Sequence, residues 1–315
     1  MDVTVAICTW NRATLLSRVL TSLTELNRPI DTNWELLVVN NNCTDDTDSV
    51  VQSFADRLPI RVLHERAPGL SNARNKAISE ASGRYILWTD DDVRVSQNWL
   101  EAYLAAFRRW PDHGIFGGPI RPEFEGDPPG WLTSVWNKVE TAYAMRDFGM
   151  DELELSARTH RLPFGANFAI RSDLQRSHPY DPKLGRSPQN LFLGGEEVAV
   201  MARILDAGTP GRWVPHAGVL HWVPRGRQTV AYLRGYYKGQ GVHQAMTMAP
   251  DRTARLLLGR PRWLIRRYLQ QEIRYRVARL TASPTEWIDA LVVASESAGM
   301  LVALSSNGAA EPRGV

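Results

Sequence analysis

Residues 85–92 read Tyr85-Ile86-Leu87-Trp88-Thr89-Asp90-Asp91-Asp92, a short apolar run that ends on three acids. With Arg84 in front, positions 84–89 have the length and composition of a buried strand. Three carboxylates at the end of such a strand are costly unless something neutralises them. A divalent cation can do so, and Mg²⁺ or Mn²⁺ favours carboxylate oxygens together with substrate phosphates. Residues i and i+2 of an extended segment point the same way. Asp90 and Asp92 can therefore share a site, and Asp91 is expected on the other face. Taken alone, the triplet reads equally as an acidic turn that caps the next helix.

The surrounding chain alternates strand and helix. Apolar runs at 3–8, 34–39 and 60–63 read as further strands, and periodic segments at 11–26, 46–54, 71–81 and 99–110 as helices. Leu15, Leu16, Val19, Leu20 and Leu23 share one helical face. Strands separated by helices imply a mostly parallel sheet with right-handed crossovers. Ligands of such sheets bind at the carboxyl ends of the strands. Four segments, 9–12, 40–45, 68–75 and 90–92, are thus expected around one crevice. A strand at 164–170 and a helix at 196–207, stopped by Gly208, follow, and the pattern from Thr229 to about Leu304 is helical.

Composition narrows the classes. The 315 residues are 43% hydrophobic and 23% charged, enough to bury a substantial core. Net charge is only +3, but residues 251–280 hold nine arginines against Asp251 and Glu272, a local +7 that leaves the rest of the chain net acidic. Cys8 and Cys43 have no metal-ligand spacing and read as reduced thiols. The N-terminus lacks the basic and apolar regions of a signal peptide, so a cytoplasmic location is expected. The longest apolar stretch, at 287–304, is broken by Asp289 and Glu296, whereas a spanning helix needs roughly 20 apolar residues. There is no GxxxxGK[ST], no GxGxxG after a strand, no HExxH and no GxSxG.

An ordered set of motifs goes further: Thr9-Trp10-Asn11-Arg12, Asn40-Asn41-Asn42-Cys43-Thr44-Asp45, Gly69-Leu70-Ser71-Asn72-Ala73-Arg74-Asn75, Asp90-Asp91-Asp92, Gly165-Ala166-Asn167, Gly194-Gly195-Glu196-Glu197, and His221 before Arg234-Gly235-Tyr236-Tyr237. In this order, over residues 3–241, the chain resembles family 2 glycosyltransferases, whose catalytic domain has the GT-A fold. The resemblance implies an α/β, Rossmann-like domain over 1–225, with an acceptor-side flap at 122–163, a C-terminal helical region at 226–305 and a flexible tail at 306–315.

It also implies roles. Thr9, Asn11 and Arg12 would lie against the donor nucleoside, with Asn42 and Asn75 nearby. Asn40 stands where the family usually has an Asp that accepts from uracil; an Asn oxygen can still accept from the base N3–H. Arg74 would face the diphosphate or hold the acidic motif. Asp92 would bind Mn²⁺ or Mg²⁺, Asp90 would turn to ribose or metal, and Asp91 belongs to the same donor motif. His221 can complete the metal or diphosphate site, with His216 as a competitor. Glu197 occupies the position of the catalytic base, more often Asp in the family; the Glu196-Glu197 pair could otherwise be two solvated acids favoured by a helix dipole. The implied reaction is inverting transfer from a UDP-sugar to a hydroxyl of a polysaccharide, glycolipid or lipid-linked sugar. The alternatives are a nucleotidyltransferase and a non-catalytic sugar-binding GT-A protein. Trp131 and Trp136 in the flap could stack on an acceptor or pack in a core.

Between Arg260 and Leu280 the arginines alternate with apolar residues. Leu264, Tyr268, Leu269 and Ile273 are expected to form an apolar stripe flanked by Arg262, Arg266 and Arg267, a pattern suited to the inner, anionic face of a membrane. The stripe could also pack on the catalytic domain. Nucleic acid is disfavoured by the acidic remainder of the chain.

Overall fold

The structure, a computed structural model, describes residues 2–27, 32–186, 195–248 and 255–306. Gly194, Asp251, Arg252 and the tail at 307–315 lie outside the described residues. In chain order the first elements are β1 (Val3–Thr9), α1 (Ala13–Thr24), β2 (Trp34–Asn40), α2 (Thr47–Gln52), β3 (Ile60–His64), α3 (Leu70–Glu80), β4 (Tyr85–Asp90), β5 (Val93–Val95), α4 (Trp99–Arg109), β6 (Ile115–Gly117) and β7 (Ile120–Phe124). There follow α5 (Gly130–Ser134), α6 (Trp136–Val139), β8 (Asn167–Arg171), α7 (Ser172–Ser177), α8 (Glu196–Asp206), β9 (Gly211–Trp213), β10 (Val219–Val223), α9 (Val230–Thr247), β11 (Leu256–Leu257), β12 (Arg260–Pro261), α10 (Arg262–Thr281) and α11 (Pro284–Ser306).

Two compact units divide the chain. One comprises Met1–Glu123 and Tyr143–Trp222, the other Phe124–Ala142 and Val223–Val315. The 122–163 segment, expected as a single flap, is therefore split between them. Its first part forms α5 and α6 in the second unit, where Trp131 lies 5.7 Å from Trp287 and Trp136 lies 5.0 Å from Phe124. Its later part supplies Phe148, Leu153, Leu155 and Leu162 to the core of the first unit.

The first unit is built on a seven-stranded sheet in the order β3-β2-β1-β4-β8-β6-β9. Strand β8 alone runs against its neighbours, β4 and β6; the other pairings are parallel. The central strands read as near-continuous apolar runs because helices cover both faces, and Val5, Ile7, Leu37, Val38, Ile86 and Leu87 are wholly buried. The expected face of α1 is buried too, at Leu16, Val19, Leu20 and Leu23. The strand expected at 164–170 starts only at Asn167, because 164–166 turn over the end of β4, where Ala166 O accepts from Thr89 Oγ1 at 3.0 Å.

Asn167 ties this region together. Its Oδ1 accepts from Trp99 Nε1 at 2.8 Å and Tyr103 Oη at 2.9 Å, while its Nδ2 donates to Pro119 O at 3.0 Å and Ala217 O at 2.7 Å. The side chain is wholly buried, and its amide has reached the four bonds it can make.

In the second unit α9, α10 and α11 pack on one another. Helices α9 and α11 touch backbone to backbone: a Cβ on Gly241 would stand 1.9 Å from Glu296 O, and one on Gly299 1.9 Å from Lys238 O. The 284–304 stretch of α11 is long and apolar enough to cross a membrane by length and composition, yet half of it is buried in the protein, including Trp287, Ile288, Leu291 and Ala294. The helical run expected from 229 to 304 is broken by the β11–β12 hairpin, where Gly259 takes a positive φ of 73°.

Helix α10 also corrects the expected stripe. Leu264 is buried and packs with Tyr268 against Met300 and Leu301, and Glu272 and Tyr275 continue that inner face. Leu269 and Ile273 point the other way and are exposed. The reason is Glu272, which accepts from Arg234 at 3.0 and 3.2 Å and fixes the helix rotation.

The Asn167 amide gives a test of the first unit. Asn167→Ala would strand two buried donors and two carbonyls, each worth about 1–3 kcal/mol when unsatisfied. A loss of about 4 kcal/mol in unfolding free energy is expected, measured by urea denaturation. A loss under about 1 kcal/mol would show that water replaces the amide.

Candidate active site

Strand register sets the site. In the parallel pairs Thr9 lies beside Asn40 and Cys8 beside Asp90, so three carboxyl ends finish at one level. The extended alternation stops at Asp90, and Asp91-Asp92 form a turn into β5. For this reason Asp91 does not turn to the opposite face. Its Oδ1 and the Oδ2 of Asp92 both accept from Arg12 Nη1, at 2.8 and 2.9 Å, and Thr9 Oγ1 donates to Asp91 at 2.8 Å. Burial, opposed by Arg12 and aided by Asp92, pushes the Asp91 carboxyl up to about 6.

Strand β10 pairs with β5 so that His221 sits opposite Val93, and Trp222 N donates to Asp92 O at 2.8 Å. This brings His221 Nε2 to 3.2 Å from Asp92 Oδ1. His221 is buried, and its Nδ1 has no hydrogen-bond partner among the described residues. His216 is exposed in the turn before β10.

Arg74, on α3, joins the strand-end acids to α8. Its guanidinium is buried, 2.6 Å from Glu196, 3.9 Å from Glu197 and 4.0 Å from Asp90. The rings of Tyr180, Trp88 and Phe168 surround it at 5.3, 5.8 and 5.9 Å. Burial works to lower the Arg74 pKa, but Glu196, Glu197 and Asp90 together raise it. Asp90 behaves oppositely: burial first, then the charge of Asp92, raises its pKa. Its carboxylate keeps 32% exposure and has Arg74 only at the limit of ion-pair distance.

The two glutamates differ sharply. Glu196 retains 3% side-chain exposure, and burial followed by the Glu197 charge pushes it up to about 7. Its Oε2 has no partner among the described residues. Glu197 is more open, at 13%, and its carboxylate faces Gly165, where a Cβ would come within 3.4 Å.

A cavity of about 370 Å³ opens beside these groups. Of the residues expected at the donor, Thr9, Asn11, Arg12, Asp90 and Asp91 line it. Asn40, Asn42, Arg74 and Asn75 do not. Asn40 Oδ1 accepts from Cys43 N at 2.8 Å, and its Nδ2 donates to Asp48 at 2.7 Å, so the side chain faces its own loop and α2. Asn42 Nδ2 donates to Arg66 O at 2.7 Å, and Asn75 makes a pair of 2.9 Å bonds with the backbone of Tyr180. These amides hold loops around the cavity.

Trp10 and Asn41 fall in segments expected around the crevice but were given no role of their own. Asn41 faces the cavity and binds three backbone groups, Glu65 O, Ala67 O and Gly69 N, which fixes the loop before α3. Trp10 lines the cavity and is 43% exposed. The rule that ligands meet strand ends placed both at the crevice. Arg186 also lines the cavity, but it sits outside every motif and had no sequence signal.

Among the described residues no three His, Cys, Asp or Glu side chains stand ready as a metal-ligand set. Asp90, Asp92 and His221 are neighbours, but Asp92 is tied to Arg12 and His221. The residues nonetheless suit a hard divalent cation: Asp90 is a carboxylate on the cavity wall with Arg74 only at 4.0 Å, and burial, then the neighbouring Asp92 charge, raises its pKa.

The sequence profile described as glycosyl transferase family 2 matches residues 4–172, more than half of the chain. The succinoglycan biosynthesis protein ExoM of Rhizobium meliloti (strain 1021) is 24% identical over 254 residues, covering 76% of this chain and 74% of ExoM. Staphylococcus aureus TarS 1–349, crystallised with UDP, superposes with a TM-score of 0.55 at 16% identity over 100% of this chain and 93% of that one. The mannosyltransferase PcManGT of Pyrobaculum calidifontis, crystallised with GDP-Man and Mn²⁺, gives 0.55 at 16% identity over 99% and 76%. The first unit thus has a GT-A fold, and the chain belongs to glycosyl transferase family 2.

Proposed function

We propose that this protein is an inverting, metal-dependent glycosyltransferase that moves a sugar from a UDP-sugar to a hydroxyl of a glycan or lipid-linked acceptor. The observation that carries the reading is the convergence on Arg74 of Asp90 from the donor cavity and Glu197 from α8. Donor-phosphate chemistry and proton removal then act within the reach of one side chain. The UDP bound by TarS supports the donor class, and the succinoglycan pathway of ExoM supports a glycan acceptor.

The nucleoside enters the cavity between Thr9–Arg12 and the 68–70 loop, where the open Trp10 ring offers a stacking face to the base. Arg186 and Arg12 supply positive charge along the diphosphate side. Asp90 and Asp92 would hold a Mn²⁺ or Mg²⁺ ion, which when bound neutralises charge building on the leaving diphosphate; the Mn²⁺ of PcManGT supports this choice. Arg12 and His221 orient Asp92. Glu197 takes the proton of the acceptor hydroxyl as its oxygen attacks the anomeric carbon opposite the departing diphosphate. One base without a carboxylate nucleophile gives inversion. Glu196 is too buried to meet an acceptor; it anchors Arg74, which in turn faces Glu197.

Glu197→Gln should leave UDP affinity nearly unchanged and lower turnover roughly 10²–10⁴-fold, the usual size of a general-base contribution. Calorimetry with UDP and a coupled UDP-release assay read the two quantities. A dead Glu196→Gln with normal stability beside an active Glu197→Gln would reverse the assignment. Product NMR should show an inverted anomeric centre.

Chelation provides the metal test. Excess EDTA should abolish UDP release, and Mn²⁺ or Mg²⁺ should restore it. Asp92→Ala should lower turnover by orders of magnitude even with metal present. Full activity in EDTA would refute the metal.

A further inference from the structure

We propose that the second unit binds an anionic lipid bilayer through the outer face of α10 and the hairpin that leads into it. The surface differs from the stripe expected in the sequence. Leu269, Ile273, Val277 and Leu280 follow one another at spacings of four, four and three, so they form a single row along the helix. All four are exposed, Leu280 at 87%. Arg262 and Arg266 continue the same row toward the N-terminal end, and Arg267 and Arg274 flank it. The one acid on α10, Glu272, is buried on the inner face and bound by Arg234 and Arg276. Arg262, Arg266 and Arg274 have no ion pair among the described residues.

The hairpin is a second, separate observation. Leu256, Leu257 and Leu258 are all exposed, and Leu258 reaches 91% at the turn. Leu258 also has φ at 52°, a left-handed conformation that bulky residues avoid. Neither packing nor turn chemistry asks for leucine there, so the side chain pays a backbone cost without gaining burial within the protein. Trp263, in the first turn of α10, is 41% exposed and adds an amphipathic ring of the kind that favours the headgroup layer.

Apolar side chains beside uncompensated arginines, with no exposed acid on the helix, match a hydrocarbon layer under negative headgroups. A second copy fits poorly, because an antiparallel two-fold contact would bury Arg262 and Arg266 against Leu280 and Val277 and a parallel one would set arginine against arginine. A nucleic acid fits poorly as well, since aliphatic side chains offer no stacking platform to bases. Bilayer attachment is independent of the sugar-transfer reading and uses none of its residues.

The test is co-sedimentation of the full chain with phosphatidylcholine vesicles, with and without phosphatidylglycerol, over a salt series. Binding should require phosphatidylglycerol and weaken as salt rises. Reversing charge in Arg262→Glu, Arg266→Glu and Arg274→Glu together should cost about a hundredfold or more in apparent affinity. Leu258→Ser with Ile273→Gln should reduce binding while the salt dependence persists. Unfolding midpoints and UDP affinity should match the parent in both variants, and Leu258→Ser alone, at a hairpin tip, serves if the triple variant misfolds. Equal sedimentation with neutral vesicles, sedimentation with neither, or unaltered binding of the charge-reversed variant would overturn the proposal. So would a dimer that Ile273→Gln dissolves in a chain that ignores vesicles.

Discussion

Five carboxylates, those of Asp90, Asp91, Asp92, Glu196 and Glu197, crowd the carboxyl edge of the sheet, and two guanidinium groups hold them there. Arg12 takes Asp91 and Asp92; Arg74 takes Glu196 and lies near Asp90 and Glu197. Such a cluster is stable only if the arginines cannot leave. Arg74 satisfies this condition through burial inside a ring of Tyr180, Trp88 and Phe168, and Arg12 through its place directly before α1. Removing one partner of a buried pair costs about 3–5 kcal/mol, because the other charge is left without compensation. The arrangement therefore favours function over stability: well-packed apolar residues at Arg74 and Glu196 would hold the fold at least as well. What they would not do is hold a guanidinium between Asp90 and Glu197.

The backbone supplies the rest of the constraint. Parallel register aligns Thr9, Asn40 and Asp90 without any contribution from their side chains. The antiparallel strand β8 then closes the edge beside β4, and Asn167 locks it to α4 and to the segments near Pro119 and Ala217. From there the chain reaches β10, whose pairing with β5 delivers His221 to Asp92. The strand pairings fix residues far apart in sequence by backbone hydrogen bonds that any side chain would permit; the Asn167 step depends on its amide.

This explains what the sequence made legible. Strands β1 to β4 and the helices between them follow from apolar runs and helical periodicity, because those signals are local. The strand-end rule placed Thr9, Arg12 and Asp90 at one crevice for the same reason. Asp91 was misjudged because alternation was carried one residue past the end of β4, into a turn. Asn40 and Asn75 carry motif identity, yet their amides are spent on loops, which no spacing argument reveals. Arg186 could not be found at all, since its position depends on how 184–186 return to α3 through Leu70 N and Arg186 O. On α10, composition announced an amphipathic helix, but the rotation that decides which apolar row is outside depends on the Glu272–Arg234 pair across to α9.

The division of labour between Glu196 and Glu197 shows how little sequence separation such a site needs. Successive residues of a helix are rotated by about 100°, so two adjacent glutamates at the start of α8 must face different surroundings. One turns inward to Arg74, loses its water and is pushed up to about 7; the other turns toward Gly165 and keeps access to solvent. The absence of a side chain on Gly165 leaves room for Arg74, which a Cβ would meet at 2.8 Å, and then for Glu197 at 3.4 Å, and the glycine at the start of the helix, Gly195, takes a left-handed φ of 95°. The inner glutamate neutralises Arg74 enough that the outer one is not captured by it, as the distances of 2.6 and 3.9 Å indicate. The proposed base thus lies beside the guanidinium without a direct hydrogen bond to it, while Glu196 holds the closer place.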